Sequence, residues 1–155
     1  MIINRRTLAG LVSNLKQQNK TIVLASGAFD IIHIGHVRYL QKAAKEGDLL
    51  VVAVNSDESI LQYKKSKPIV PLAERMEIVD AIKGVDFVTS FDEPTAHSIV
   101  CDLLPDVHTK GDGYSAETLP EYEFITNLGI RVVFIHGSPA HSSSTLKETI
   151  RNQNQ

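Results

Sequence analysis

Thr21-Ile22-Val23-Leu24-Ala25-Ser26-Gly27-Ala28-Phe29-Asp30-Ile31-Ile32-His33-Ile34-Gly35-His36 is the stretch that decides the fold of this chain. Thr21 to Ala25 is a β-branched, apolar run with the pattern of a buried strand, and Val37 to Glu46 has the pattern of a helix. Between them stand two glycines, two histidines and an aspartate. Open α/β sheets receive phosphorylated ligands at such a strand-to-helix turn. The first N–H groups of a helix lack partners and its dipole favours an anion. Gly27 and Gly35 lack Cβ atoms and let a ligand approach the main chain. His33 and His36 are three residues apart, so a helix starting near Gly35 projects both rings from its first turn toward one space. Paired imidazoles there can donate to phosphate oxygens and stabilise charge that builds up in a transition state. The spacing is not the i, i+4 pair of a helical zinc site, and one cysteine supplies no thiolate cluster.

Outward from this turn, apolar runs alternate with helical patterns. The chain to Lys20 reads as a helix with Leu8, Leu11, Val12 and Leu15 on one side. The helix after the turn is expected to stop at Gly47, a common residue just past helix ends. Leu49 to Val54 reads as a strand buried on both faces, and Gln62 to Pro68 as a polar, basic, mobile loop. Pro71 to Ile82 reads as a helix offering Met76, Ile78, Val79 and Ile82 for burial. Strands follow at Asp86–Thr89, Asp106–Thr109 and Arg131–Ile135, with helices at Thr95–Leu104 and Leu119–Leu128. Ser142, Ser143 and Ser144 cap a last helix, Thr145 to Arg151. The alternation predicts an α/β fold, a parallel sheet of about five strands with helices on both faces. At 155 residues the chain is expected to be one domain, 1–155, with residues 1–20 as an N-terminal helical extension.

Composition narrows the function. A net charge of −2 gives no basic field for nucleic acid or membrane. No stretch is long and apolar enough for a bilayer span, and Met1 to Arg6 lacks a signal-peptide core. Cys101 is the single cysteine, expected as a buried packing residue, and its solitude fits a reducing, cytoplasmic setting.

In a parallel sheet all strand carboxyl ends share one edge. That edge collects the His33/His36 turn, Asp57 with Lys64, Lys65 and Lys67, the run Lys110-Gly111-Asp112, and Ser142 to Ser144. Lysines, imidazoles, hydroxyls and helix N-termini form a phosphate-handling set. Arg75, on a helix, is either a phosphate ligand or a surface residue. His97 and His108 read as structural or exposed, and His136 and His141 as rim residues only.

Gly27-Ala28-Phe29-Asp30 followed by His33-Ile34-Gly35-His36 resembles the signature of the cytidylyltransferase-like nucleotidyltransferases, and the likeness runs from about Thr21 to Ile150. Within them the chain is most similar to the adenylyltransferase branch that makes ADP-heptose from heptose 1-phosphate. Gly47-Asp48, Val52 to Asp57, Lys67-Pro68 to Arg75-Met76 and Thr109 to Asp112 carry that likeness. The resemblance implies a Rossmann-like fold and in-line attack by an acceptor phosphate on the α-phosphorus of a nucleoside triphosphate, with Mg²⁺ accompanying the triphosphate. It implies catalytic roles for His33, His36 and Lys65. Gly27, Ala28, Phe29, Asp30, Gly35, Lys110, Gly111, Asp112 and Ser142 to Ser144 would bind nucleotide beside the histidines. Asp57, Lys64, Lys67 and Arg75 would hold the acceptor. A homodimer and a phosphorylated small-molecule acceptor are the implied partners. Alternatives are glycerol 3-phosphate with CTP, flavin mononucleotide with ATP, and a nucleotide-binding module without turnover.

Overall fold

The computed structural model describes residues 1–136, 149, 150 and 152. Ser142, Ser143, Ser144 and His141 lie outside the described residues, as does most of the helix expected at Thr145–Arg151. Five strands are described: β1 (Ile22–Gly27), β2 (Leu49–Asn55), β3 (Phe87–Phe91), β4 (Val107–Lys110) and β5 (Arg131–Phe134). Helix α1 (Arg5–Gln17) precedes β1, and α2 (Ile34–Ala43), α3 (Asp57–Lys64), α4 (Leu72–Asp80), α5 (His97–Leu103) and α6 (Tyr122–Asn127) lie in the connections.

The strands pair in the order β3-β2-β1-β4-β5, and every pairing is parallel. Ile22 of β1 stands opposite Leu49 of β2, and Val23 opposite Val107 of β4. Alternation along the central strands divides the core. Val23, Ala25, Leu50, Val52 and Val54 face one side with Leu40 and Ala43 of α2 and Val79 of α4. Ile22, Leu24, Val51 and Ala53 face the other with Leu8 and Val12 of α1, Ile99 and Val100 of α5, and Ile125 of α6. This is the expected α/β architecture with both faces covered. At the β3 edge, Ile2 pairs with Val88, so the N-terminal residues cover an otherwise open strand.

Four local expectations are corrected. Gln62, Tyr63 and Lys64, the first residues of the loop expected at Gln62–Pro68, form the end of helix α3, which starts because the Ser56 side chain accepts the Ser59 N–H and Asp57 and Glu58 stand in the first turn. Gly47 is not a left-handed helix cap: α2 gives way to a short 3₁₀ turn, Ala44–Glu46, and Gly47 is extended at φ −166°. A Cβ there would lie 2.7 Å from the Val23 side chain and 2.8 Å from the Thr21 carbonyl oxygen, so packing against β1 selects the glycine. Cys101 is exposed, because Ile99, Val100 and Leu103 take the inward positions of α5. Ile78 is also exposed, leaving Val79 and Ile82 as the buried apolar residues of its segment.

Gly47→Ala forces either β1 or the 3₁₀ turn to shift and should cost about 1–3 kcal/mol. Urea denaturation checks this, and an unchanged midpoint would contradict the packing role.

Candidate active site

Strand order reverses between β1 and β4, whose connections run to opposite sides of the sheet. A cleft of about 900 Å³ opens there, at the carboxyl ends of the strands. Ser26 and Gly27 of β1, Asn55 of β2, Phe91 of β3 and Lys110 of β4 reach it from the sheet. The β1–α2 turn and His36 line it, as do Tyr63 and Lys64 of α3 and Tyr114, Thr118 and Glu121 before α6.

His33 and His36 meet ring to ring, centroids 4.1 Å apart. His33 is the N-cap of α2, and its Nδ1 accepts the Gly35 N–H at 3.0 Å. His36 Nδ1 accepts the His33 N–H at 3.3 Å. The two imidazoles thus form a reciprocal capping box, a task usually done by a hydroxyl and a carboxylate. A neutral ring that accepts at Nδ1 carries its proton on Nε2, so this network assigns an Nε2–H donor to each ring. Burial first, then the neighbouring His33 and Lys64, pushes His36 down to about 4, keeping it neutral at pH 7. Phe29 supports the arrangement from a left-handed conformation, φ 49°, with its ring edge-on to His36 at 5.7 Å. Gly27 leaves room for that ring: a Cβ would stand 3.2 Å from it. Asp30 accepts the N–H groups of Ile69 and Val70 at 2.8 and 3.0 Å, tying the turn to the segment before α4.

On the far side of the switch point, Lys110 is buried beneath the cleft. Its Nζ donates to Ser26 Oγ at 2.9 Å and lies 3.6 Å from a Glu121 carboxylate oxygen and 5.3 Å from the Tyr114 ring centre. An ammonium only donates, so Ser26 turns its own hydrogen to His108 Nε2, 3.2 Å away. That leaves the His108 proton on Nδ1, which has no hydrogen-bond partner among the described residues. Burial, and then Lys110, pushes His108 down to about 3. Burial also lowers the Lys110 ammonium from its usual range, while Glu121 opposes that shift.

The structure sorts the sequence candidates. Gly27, Ala28, Phe29, Asp30, His36, Lys64 and Lys110 line the cleft, with His33 against His36 and Gly35 buried in the same helical turn. Lys65 and Lys67 are exposed and do not line it, and Lys65 is spent as the left-handed cap of α3. Gly111 packs by Tyr39, and Asp112 pairs with His136 at 3.3 Å on the exposed rim. Arg75, expected to hold the acceptor, has a side chain with no exposure and stands outside the cleft lining. Arg75 Nε donates to the Val70 carbonyl, one terminal nitrogen to the carbonyls of Ala28 and Asn55, and the other to Asp57. Asp57 is thereby committed to Arg75 at 2.5 Å and stands outside the cleft lining. The sequence reading missed Ser26, Asn55, Tyr63, Thr118 and Glu121. Ser26 and Asn55 had a signal, a polar residue closing an apolar strand run. Glu121, a carboxylate ahead of a six-residue helix, had none.

Arg75→Met leaves three carbonyls and Asp57 without their donor and should cost about 3 kcal/mol or more by chemical denaturation. Lysine at this position cannot restore the fork and should not rescue stability. His108 is neutral when folded and takes up a proton when unfolded below its ordinary value of 6.5. Stability is therefore full above that value and falls with acid, by ~1.4 kcal/mol per pH unit between pH ~6 and ~4 from this residue. His108→Gln keeps an acceptor toward Ser26 and should flatten that slope by the same amount in urea titrations across pH.

A family model described as cytidylyltransferase-like matches residues 24–154. The chain is 38% identical over 146 residues to the bifunctional protein HldE of Desulfatibacillum aliphaticivorans, and 40% identical over 151 residues to that of Geotalea uraniireducens. These alignments take in 94% and 97% of this chain but 30% and 31% of the relatives, so the chain spans about a third of their length. Among solved structures, the lipopolysaccharide core biosynthesis protein from Thermoplasma volcanium superposes with a TM-score of 0.63 at 32% identity, covering 76% of this chain and 95% of that one. With the ring pair at the switch-point cleft and a match across nearly the whole chain, this protein belongs to the cytidylyltransferase-like family of nucleotidyltransferases.

Proposed function

We propose that the chain is an adenylyltransferase that moves AMP from ATP to a sugar 1-phosphate, with heptose 1-phosphate as acceptor, ADP-heptose as product and pyrophosphate as leaving group. The observation that carries this is the His33/His36 pair, two Nε2–H donors held together where α2 begins and the sheet reverses. The similarity to the bifunctional HldE proteins and to a lipopolysaccharide core biosynthesis protein supports the choice of acceptor.

In this reaction an acceptor phosphate oxygen forms a bond to the α-phosphorus as the bond from that phosphorus to the β-bridging oxygen breaks. The electron pair leaves with pyrophosphate, and no covalent enzyme intermediate is needed. Catalysis is then positioning and charge stabilisation. The neutral His36 ring, its proton on Nε2, donates to the α-phosphate oxygens as negative charge grows, and His33 supports it. The positive end of the α2 dipole adds to the same field. Lys64 is the lysine of its segment that lines the cleft, and its ammonium faces the triphosphate. Mg²⁺ enters with the triphosphate as part of the substrate.

Pyrophosphate release tests the reading, with heptose 1-phosphate set against glycerol 3-phosphate and flavin mononucleotide, and ATP against CTP. Release with heptose 1-phosphate and ATP is expected, and preference for another pair would overturn the substrate choice. His36→Ala should lower kcat by ~10²–10³ while thermal unfolding shows an intact fold. Because His36 is neutral down to about 4, kcat/KM should have no limb from this group near its ordinary value of 6.5. An acid limb near that value that disappears in His36→Gln would contradict the neutral donor.

A further inference from the structure

Resting on the transferase reading above, we infer that Glu121, held against Lys110, is a specificity-determining residue that accepts hydrogen bonds from a pair of neighbouring hydroxyls on a bound ligand. Glu121 is only 4% exposed, yet it lines the cleft. A buried carboxylate is costly unless charge and hydrogen bonds compensate it. Lys110 supplies the charge. Its ammonium lies 3.6 Å from one oxygen of Glu121, a long contact, and its short contact at 2.9 Å goes to Ser26. Lys110 therefore neutralises Glu121 while engaging one of its two oxygens, and a carboxylate has about four lone pairs.

The chemistry of that position selects the ligand group. A carboxylate repels phosphate, so the anionic part of a substrate is directed to the His33/His36 and Lys64 side of the cleft. What Glu121 can hold is a neutral donor, and its two oxygens match two adjacent hydroxyls. Tyr114 lines the cleft with it, giving an aromatic surface, a usual companion of a sugar ring. Ser26 and His108 act behind this site as positioning residues: their buried hydrogen-bond chain fixes the Lys110 ammonium where it balances Glu121.

Two parts of the substrates carry adjacent hydroxyls, the ribose of ATP and the acceptor sugar, and equilibrium binding separates them. Wild type and Glu121→Gln are titrated calorimetrically with ATP and its 2′-deoxy and 3′-deoxy forms. The same titrations are made with heptose 1-phosphate and its monodeoxy analogues. In one series, Glu121→Gln should weaken the hydroxylated ligand about tenfold or more, while removing the hydroxyl weakens wild type to a similar degree. In that series the variant and wild type should then bind the deoxy ligand alike. The series showing this non-additivity identifies which sugar is read. Additive losses in both series, or no loss, overturn the proposal. If Glu121→Gln fails to unfold cooperatively, Glu121→Asp, which keeps the charge and withdraws it by one methylene, is carried through the same cycle with the same outcomes. The cycle reads binding alone, so failure of pyrophosphate release with every acceptor would sink the transferase reading and leave this test standing.

Discussion

The Arg75 guanidinium ties together three segments that are far apart in sequence and meet at the edge of the cleft. It bonds the carbonyl of Ala28 in the β1–α2 turn, the carbonyl of Asn55 at the end of β2 and the carbonyl of Val70 ahead of α4, and it pairs with Asp57 at the start of α3. A planar fork with several fixed donors can satisfy so many acceptors at once; an ammonium cannot. Burying the charge is tolerable because nearly every N–H it carries is used. The turn that presents the histidines is thereby locked to the neighbouring strand end, and Asp30 adds a second tie through Ile69 and Val70.

On that frame the cleft divides into two electrostatic regions. One holds His33, His36 and Lys64 around the first turn of α2, where each imidazole spends its Nδ1 lone pair inside the helix cap and carries its proton on Nε2. Burial keeps His36 neutral near pH 7, the state in which the proposed reaction uses it as a donor to phosphate. The other region is the Lys110–Glu121 pair, backed by Ser26 and His108. Opposite charges cancel there, which suits a neutral hydroxylated group better than a phosphate. The two regions stand on opposite sides of the point where the sheet order reverses.

Local sequence was most informative where one physical rule dominated. The Thr21–Ala25 and Leu49–Val54 runs are strands because continuous β-branched and aliphatic residues pack on both faces of a parallel sheet, and both lie at its centre. It was less informative where two rules competed. The basic character of Gln62–Pro68 suggested a loop, but the Ser56 cap and the acids at Asp57 and Glu58 start a helix that runs through Lys64. Gly47 carried a generic helix-end signal, whereas its cause is a steric contact with Val23 and Thr21, contributed by another strand.

The sequence by itself determined the alternation of strands and helices, the glycine-flanked turn and the pair of imidazoles three residues apart, because those depend on periodicity and on groups close along the chain. Only the tertiary structure decided that Arg75 is interior, that Lys64 rather than Lys65 borders the cleft, and that Glu121 meets Lys110. Those outcomes depend on burial and on distances between residues separated by 11 to 47 positions. A charged side chain reads the same in sequence whether water or a ring of carbonyl oxygens will surround it, and packing settles which.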